Sequence, residues 1–93
     1  MMQNAAIQDR AKEHSKAVEL KDMAVGESGS VVRICAMGEL GRRIRDMGII
    51  PGSRLCVTGR APLNDPLTIR LRGYTLSLRG SEAAYIMVEP DNA

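Results

Sequence analysis

The chain has no phenylalanine and no tryptophan, and its only tyrosines are Tyr74 and Tyr85. The core must therefore be built from Leu, Ile, Val, Met and Ala. So few rings also exclude an aromatic base-stacking platform of the kind used by small single-strand-binding domains. Histidine is nearly as scarce. His14 stands alone in a polar N-terminal stretch, so a Ser-His-Asp or Cys-His engine would have to recruit it from there. Two cysteines, Cys35 and Cys56, lie far apart and outside any CxxC pair. A disulfide framework or a closed zinc site needs more ligands in tight pairs, so both are expected to be free thiols acting as small, partly buried hydrophobes. No apolar run approaches the ~20 residues of a membrane helix, and the N-terminus lacks the apolar segment of a signal peptide. The expectation is a cytoplasmic chain without a membrane span of its own. Phosphate-loop, HExxH and GxSxG patterns are absent, as is a paired-carboxylate constellation, so no enzyme is expected.

What is present fits one domain. The chain has 93 residues, 44% of them hydrophobic and 26% charged, which is ordinary globular usage around a small core. The formal net charge of +2 hides an asymmetry. All three lysines, Lys12, Lys16 and Lys21, come early. From Arg33 to Arg79 there are nine arginines against only Glu39, Asp46 and Asp65. A basic middle of this kind suits an acidic protein surface, an anionic membrane face or nucleic acid.

Residues 1–20 are polar and lack glycine and proline, which reads as a helical or flexible extension. The domain is placed at residues 21–90, where glycines and prolines divide the chain into short elements. Ser30 to Cys35 reads as a strand with Val32 and Ile34 on one face. Glu39 to Met47 reads as a helix, because Leu40, Ile44 and Met47 recur on one stripe, and Gly48 stops it. Pro51-Gly52 is a type II turn signal. Arg54 to Ala61 alternates as a strand, and Pro62 to Pro66 forms a loop. Leu67 to Arg72 and Tyr74 to Arg79 make a hairpin about Gly73. Ser81 is placed to cap a single turn from Glu82 to Ala84, and Ile86 to Glu89 closes as a strand. The expected fold is mainly β: a small SH3-like barrel of about five antiparallel strands with one short inserted helix.

The ordered series Arg43-Ile44-Arg45-Asp46-Met47-Gly48-Ile49-Ile50-Pro51-Gly52, Ala61-Pro62-Leu63-Asn64-Asp65-Pro66, Leu76-Ser77-Leu78-Arg79 and Glu82-Ala83 resembles the FeoA family. These are small components of bacterial ferrous iron transport. The likeness covers about Leu20 to Glu89. It implies an SH3-like barrel and a non-enzymatic partner of the FeoB-type transporter, a membrane Fe²⁺ carrier with a GTP-binding domain. It also implies kinship with the C-terminal domain of iron-dependent repressors, and a transition-metal-binding label inherited from them. Two positions depart from the family pattern. Asn64 stands where glycine is usual, and Arg45 stands where an apolar residue is common.

The expected partner-binding residues are Leu40, Arg42, Arg43, Arg45, Met47 and Ile49 on the helix and its exit, with Asn64 and Asp65 at a loop tip. Gly48, Pro51, Gly52, Pro62, Pro66 and Gly73 read as backbone punctuation. No cofactor is expected to be required. Asp9, Glu13 and His14 are the only candidates for a loose Fe²⁺ or Zn²⁺ chelate. A homo-oligomer is compatible with the sequence. Two other functions fit it: a small nucleic-acid-binding barrel and a metal-responsive regulatory module.

Overall fold

The computed structural model describes residues 16–63 and 65–91. Strand β1 is Val18–Glu19, followed by a 3-10 turn at Leu20–Asp22. Strand β2 is Ser28–Ile34, helix α1 is Gly38–Asp46 and strand β3 is Arg54–Arg60. Strands β4 (Leu67–Leu71) and β5 (Tyr74–Leu78) form the hairpin, the short helix α2 is Gly80–Ala83, and β6 is Ile86–Pro90. All pairings are antiparallel, in the order β1-β6-β2-β3-β4-β5.

The six strands curl around one aliphatic core. Leu55 and Val57 of β3, Leu67, Ile69 and Leu71 of β4, Leu78 of β5, and Ile86 and Val88 of β6 are buried in a single cluster. The alternation read from the sequence holds in these strands, because a pleated strand sends successive side chains to opposite faces. Burying this set as aliphatic side chains contributes roughly 1.5–3 kcal/mol each.

The sheet has six strands where five were expected. The additional one is β1, where Val18 pairs with Val88 and Glu19 with Met87. It begins three residues ahead of the boundary drawn at residue 21, and Leu20 behind it is fully buried. A two-residue strand carries no period, so it has no sequence signature of its own. Residues 1–15, which hold most of the expected extension, lie outside the described residues.

The inward face of β2 also differs. Val31 is buried at 2% exposure, whereas Val32 and Ile34 are half-buried. The β2–β6 register shifts between Val31 and Arg33. A bulge there inserts one residue and resets the alternation. Cys35 follows the end of β2 and is exposed, contrary to expectation, while Cys56 on β3 is half-buried as expected. The backbone N–H of Cys35 still donates to the Tyr85 carbonyl at 2.7 Å, but the chain is leaving the sheet there.

Candidate docking site

Helix α1 is held to the barrel by one stripe. Ile44 is fully buried, and Leu40 and Met47 are half-buried against the core. The first turn approaches the preceding segment closely. A Cβ on Gly41 would stand 2.6 Å from the Ala36 carbonyl oxygen, so only glycine lets the helix lie this near. The helix ends in a Schellman motif. The Gly48 N–H donates to the Arg45 carbonyl at 2.9 Å and the Ile49 N–H to the Ile44 carbonyl at 3.4 Å, with Gly48 at φ +94°. Ile44 and Ile49 make the apolar contact that accompanies this motif, and both are fully buried.

The expected docking residues therefore divide. Ile49 is core and offers no surface, a correction that follows from the Schellman geometry. Leu40 and Met47 present one edge each. Arg42, Arg43 and Arg45 are exposed. Glu39, Arg42, Arg43, Asp46 and Met47 line an open groove of about 410 Å³ along the outward side of α1. Met37, at the helix entry, is 89% exposed.

Two neighbouring carboxylates are occupied by structure. Glu82 is buried, and its Oε1 accepts the Arg79 N–H at 2.9 Å, closing the first turn of α2. Its Oε2 lies 3.7 Å from Nη1 of Arg43. Asp65 Oδ1 accepts the Gly80 N–H at 2.9 Å. Asp65 thus anchors its loop to α2 at the position where it was expected to meet a partner. Ser81, expected to cap this turn, is exposed and already inside it, because α2 starts at Gly80. These contacts tie α2 to α1 through Arg43 and to Asp65. Leu63 is 88% exposed. Asn64 lies outside the described residues; Pro62 and Pro66 flank it and are exposed.

Sequence reasoning overlooked Ser53. This buried hydroxyl accepts the Ile50 N–H at 3.0 Å and donates to the Gly48 carbonyl at 3.2 Å. It ties the helix exit to the Pro51-Gly52 turn, where Gly52 takes φ +94° as a type II turn requires. A serine directly after a Pro-Gly step is the available signal. Arg54 was also overlooked: it is bound in bidentate fashion to Asp91 at 2.6 Å in each arm. The hydrogen bonds from Arg54 hold the Asp91 carboxyl below its ordinary range.

Among the described residues, no three His, Cys, Asp or Glu side chains gather as a metal site. Asp9, Glu13 and His14 lie outside those residues. No described helix is long and apolar enough to cross a membrane.

The FeoA domain family matches residues 18–90. A protein of Porphyromonas gingivalis, named as a fusion of Fe(2+) transport protein A and the Fe(2+) transporter FeoB, is 36% identical over 72 residues. That match takes in 77% of this chain and 8% of the fusion protein, so the chain spans only a small part of that relative. The solved structure of a FeoA-like protein from Clostridium acetobutylicum superposes with a TM-score of 0.76 at 40% identity. It covers 81% of this chain and 87% of that one. A FeoA from Stenotrophomonas maltophilia, described as an SH3 domain protein and solved with zinc, gives a TM-score of 0.68 at 24% identity. It covers 77% of this chain and 89% of that one, and supports the SH3-like fold.

Proposed function

The chain belongs to the FeoA family, and from that premise we propose that it is a non-enzymatic docking component of bacterial Fe²⁺ uptake. In this reading it binds the cytosolic side of a FeoB-type transporter and regulates it. The observation that carries the reading is the Porphyromonas gingivalis relative, in which a matching domain shares one polypeptide with the transporter. Covalent linkage holds two partners at millimolar effective concentration, so it favours pairs that work in contact.

The α1 face is the contact surface we assign. Arg42 and Arg45 are exposed and take part in no ion pair among the described residues. They share α1 and its C-cap with Leu40 and Met47, which are half-buried against the core. Charged groups on a rim steer association, while the exposed part of such apolar side chains supplies affinity.

The test is co-purification from detergent-solubilised membranes of iron-starved cells, using tagged wild-type chain beside Arg42→Glu/Arg45→Glu. Capture of the GTP-binding iron permease by the wild type and its loss from the folded variant is the expected result. Equal capture by both removes α1 from the interface. No permease in either sample overturns the docking reading.

A further inference from the structure

On the side of the barrel formed by β3, β4 and β5 the charge is of one sign. None of these three strands contains an acidic residue. The register places Leu55 opposite Leu71 and Cys56 opposite Arg70, and Arg54 and Arg72 border the same depression. With Leu55, Val57, Ile69 and Leu71 turned into the core, the outward positions are Arg54, Thr58, Thr68 and Arg70, joined by Thr75 across from Arg70 and Ser77 across from Thr68. Ser28, Arg54, Cys56, Arg70, Arg72 and Gly73 border an open depression of about 270 Å³. Of these arginines, Arg54 is bound by the Asp91 carboxylate. Arg70 and Arg72 have no carboxylate within 4 Å among the described residues.

Two features oppose stability here. Arg70 and Arg72 border one depression, and like charges gathered there repel each other. Arg72 also sits at φ +50°, and no other described non-glycine residue has positive φ. With Gly73 at φ +91° it forms the kind of two-residue hairpin turn that favours Asn-Gly. An arginine in this place is strained, and such strain marks residues retained for binding.

We propose that this face binds the phosphate headgroups of an anionic lipid bilayer. Guanidinium groups grip phosphate bidentately, and the flanking hydroxyls of Ser28, Ser30 and Thr75 add hydrogen-bonding capacity. The depression is broad and open, which suits an array of headgroups on a plane. The one exposed aromatic on these strands, Tyr74, is paired with inward Leu71 and not with the outward arginines, and a single ring makes no stacking platform for bases. The inference rests on the proposed role at a membrane transporter and adds a second contact to it. The domain would meet the transporter through α1 and the bilayer through β3–β5.

Co-sedimentation of the full chain with vesicles tests this. One set is pure phosphatidylcholine; the other contains about a third phosphatidylglycerol, enough to give a negative surface potential. Binding to the anionic vesicles alone is expected. Each arginine contributes about a 5-fold factor at such a surface, so Arg70→Gln/Arg72→Gln weakens binding about 25-fold. Arg72→Asn is the second variant and guards against misfolding. It relieves the turn, so its Tm rises by a few degrees while binding falls about 5-fold. Absence of sedimentation, equal binding to both vesicle types, or undiminished binding by the variants overturns the proposal. Release by millimolar inorganic phosphate points to a soluble phosphate ligand and overturns the lipid assignment. Displacement by a short RNA or DNA duplex does so in favour of nucleic acid. These vesicles hold no transporter, so a negative result leaves co-purification in detergent standing, and the reverse is also true.

Discussion

Nη1 of Arg43 lies 3.7 Å from Oε2 of Glu82, joining the exposed side of α1 to a buried carboxylate beneath α2. Arg43 is therefore part of the scaffold of the docking surface, while Arg42 and Arg45 are its free charges.

This relationship separates three otherwise similar charge reversals. Arg43→Glu sets a second carboxylate against buried Glu82 and is expected to lower stability by about 1–2 kcal/mol. Arg42→Glu and Arg45→Glu meet no such group and are expected to stay within about 0.5 kcal/mol. Urea denaturation of the three variants checks this; equal midpoints would remove the scaffold role of Arg43.

Gly29 lies where β2 passes β6. A Cβ there would stand 2.5 Å from the Glu89 carbonyl oxygen and 2.7 Å from Val88 Cγ1. Gly29→Ala is expected to cost about 1–3 kcal/mol by forcing the two strands apart. Gly59→Ala is the control, since its Cβ would meet Thr68 at an ordinary 3.6 Å. Thermal melts should show a drop of roughly 4–8 °C per kcal/mol for Gly29→Ala and little change for Gly59→Ala.

Ser53→Ala removes the bridge between the Ile50 N–H and the Gly48 carbonyl. The expected loss is about 1 kcal/mol, with Ser53→Thr retaining part of the bond. Faster amide exchange at Ile50 in the alanine variant would localise the effect to the helix exit. An unchanged exchange rate there would contradict the bridging role.

Asp91 titrates below its ordinary value because Arg54 donates two hydrogen bonds to its ionised form. A carboxyl lowered in the folded state stabilises the fold at pH above its unfolded value, and that contribution is lost as pH falls through the folded value. The window thus lies below about pH 4. Carboxyl ¹³C NMR titration of Asp91 should show the depression, and Arg54→Ala should return the group to its ordinary range. An identical titration in both proteins would show that Arg54 is not its cause.

Much of this was legible locally. The β3, β4 and β5 alternation is a run of Leu, Ile and Val against Arg, Thr and Ser. The helix stripe of Leu40, Ile44 and Met47 and the Gly48 stop are equally local. Other features were not. Strand β1 is too short to carry a period. The bulge near Val31 arises from pairing with β6. Ile49 reads in sequence as part of the helix exit, and the Schellman turn carries it into the core. Asp65 reads as a partner-binding loop residue, but it is fastened to the α2 backbone at Gly80.

The sequence by itself determined the aliphatic core, the mainly β order with one inserted helix, the family, and the excess of arginine over acid. These follow from side-chain type and from periods that span a few neighbouring residues. Tertiary structure decided which charges are free. It bound Arg54 to Asp91, set Arg43 against Glu82, and left Arg70 and Arg72 together on an acid-free face. Those outcomes depend on strand register and on contacts between residues distant in the chain, which no local pattern encodes.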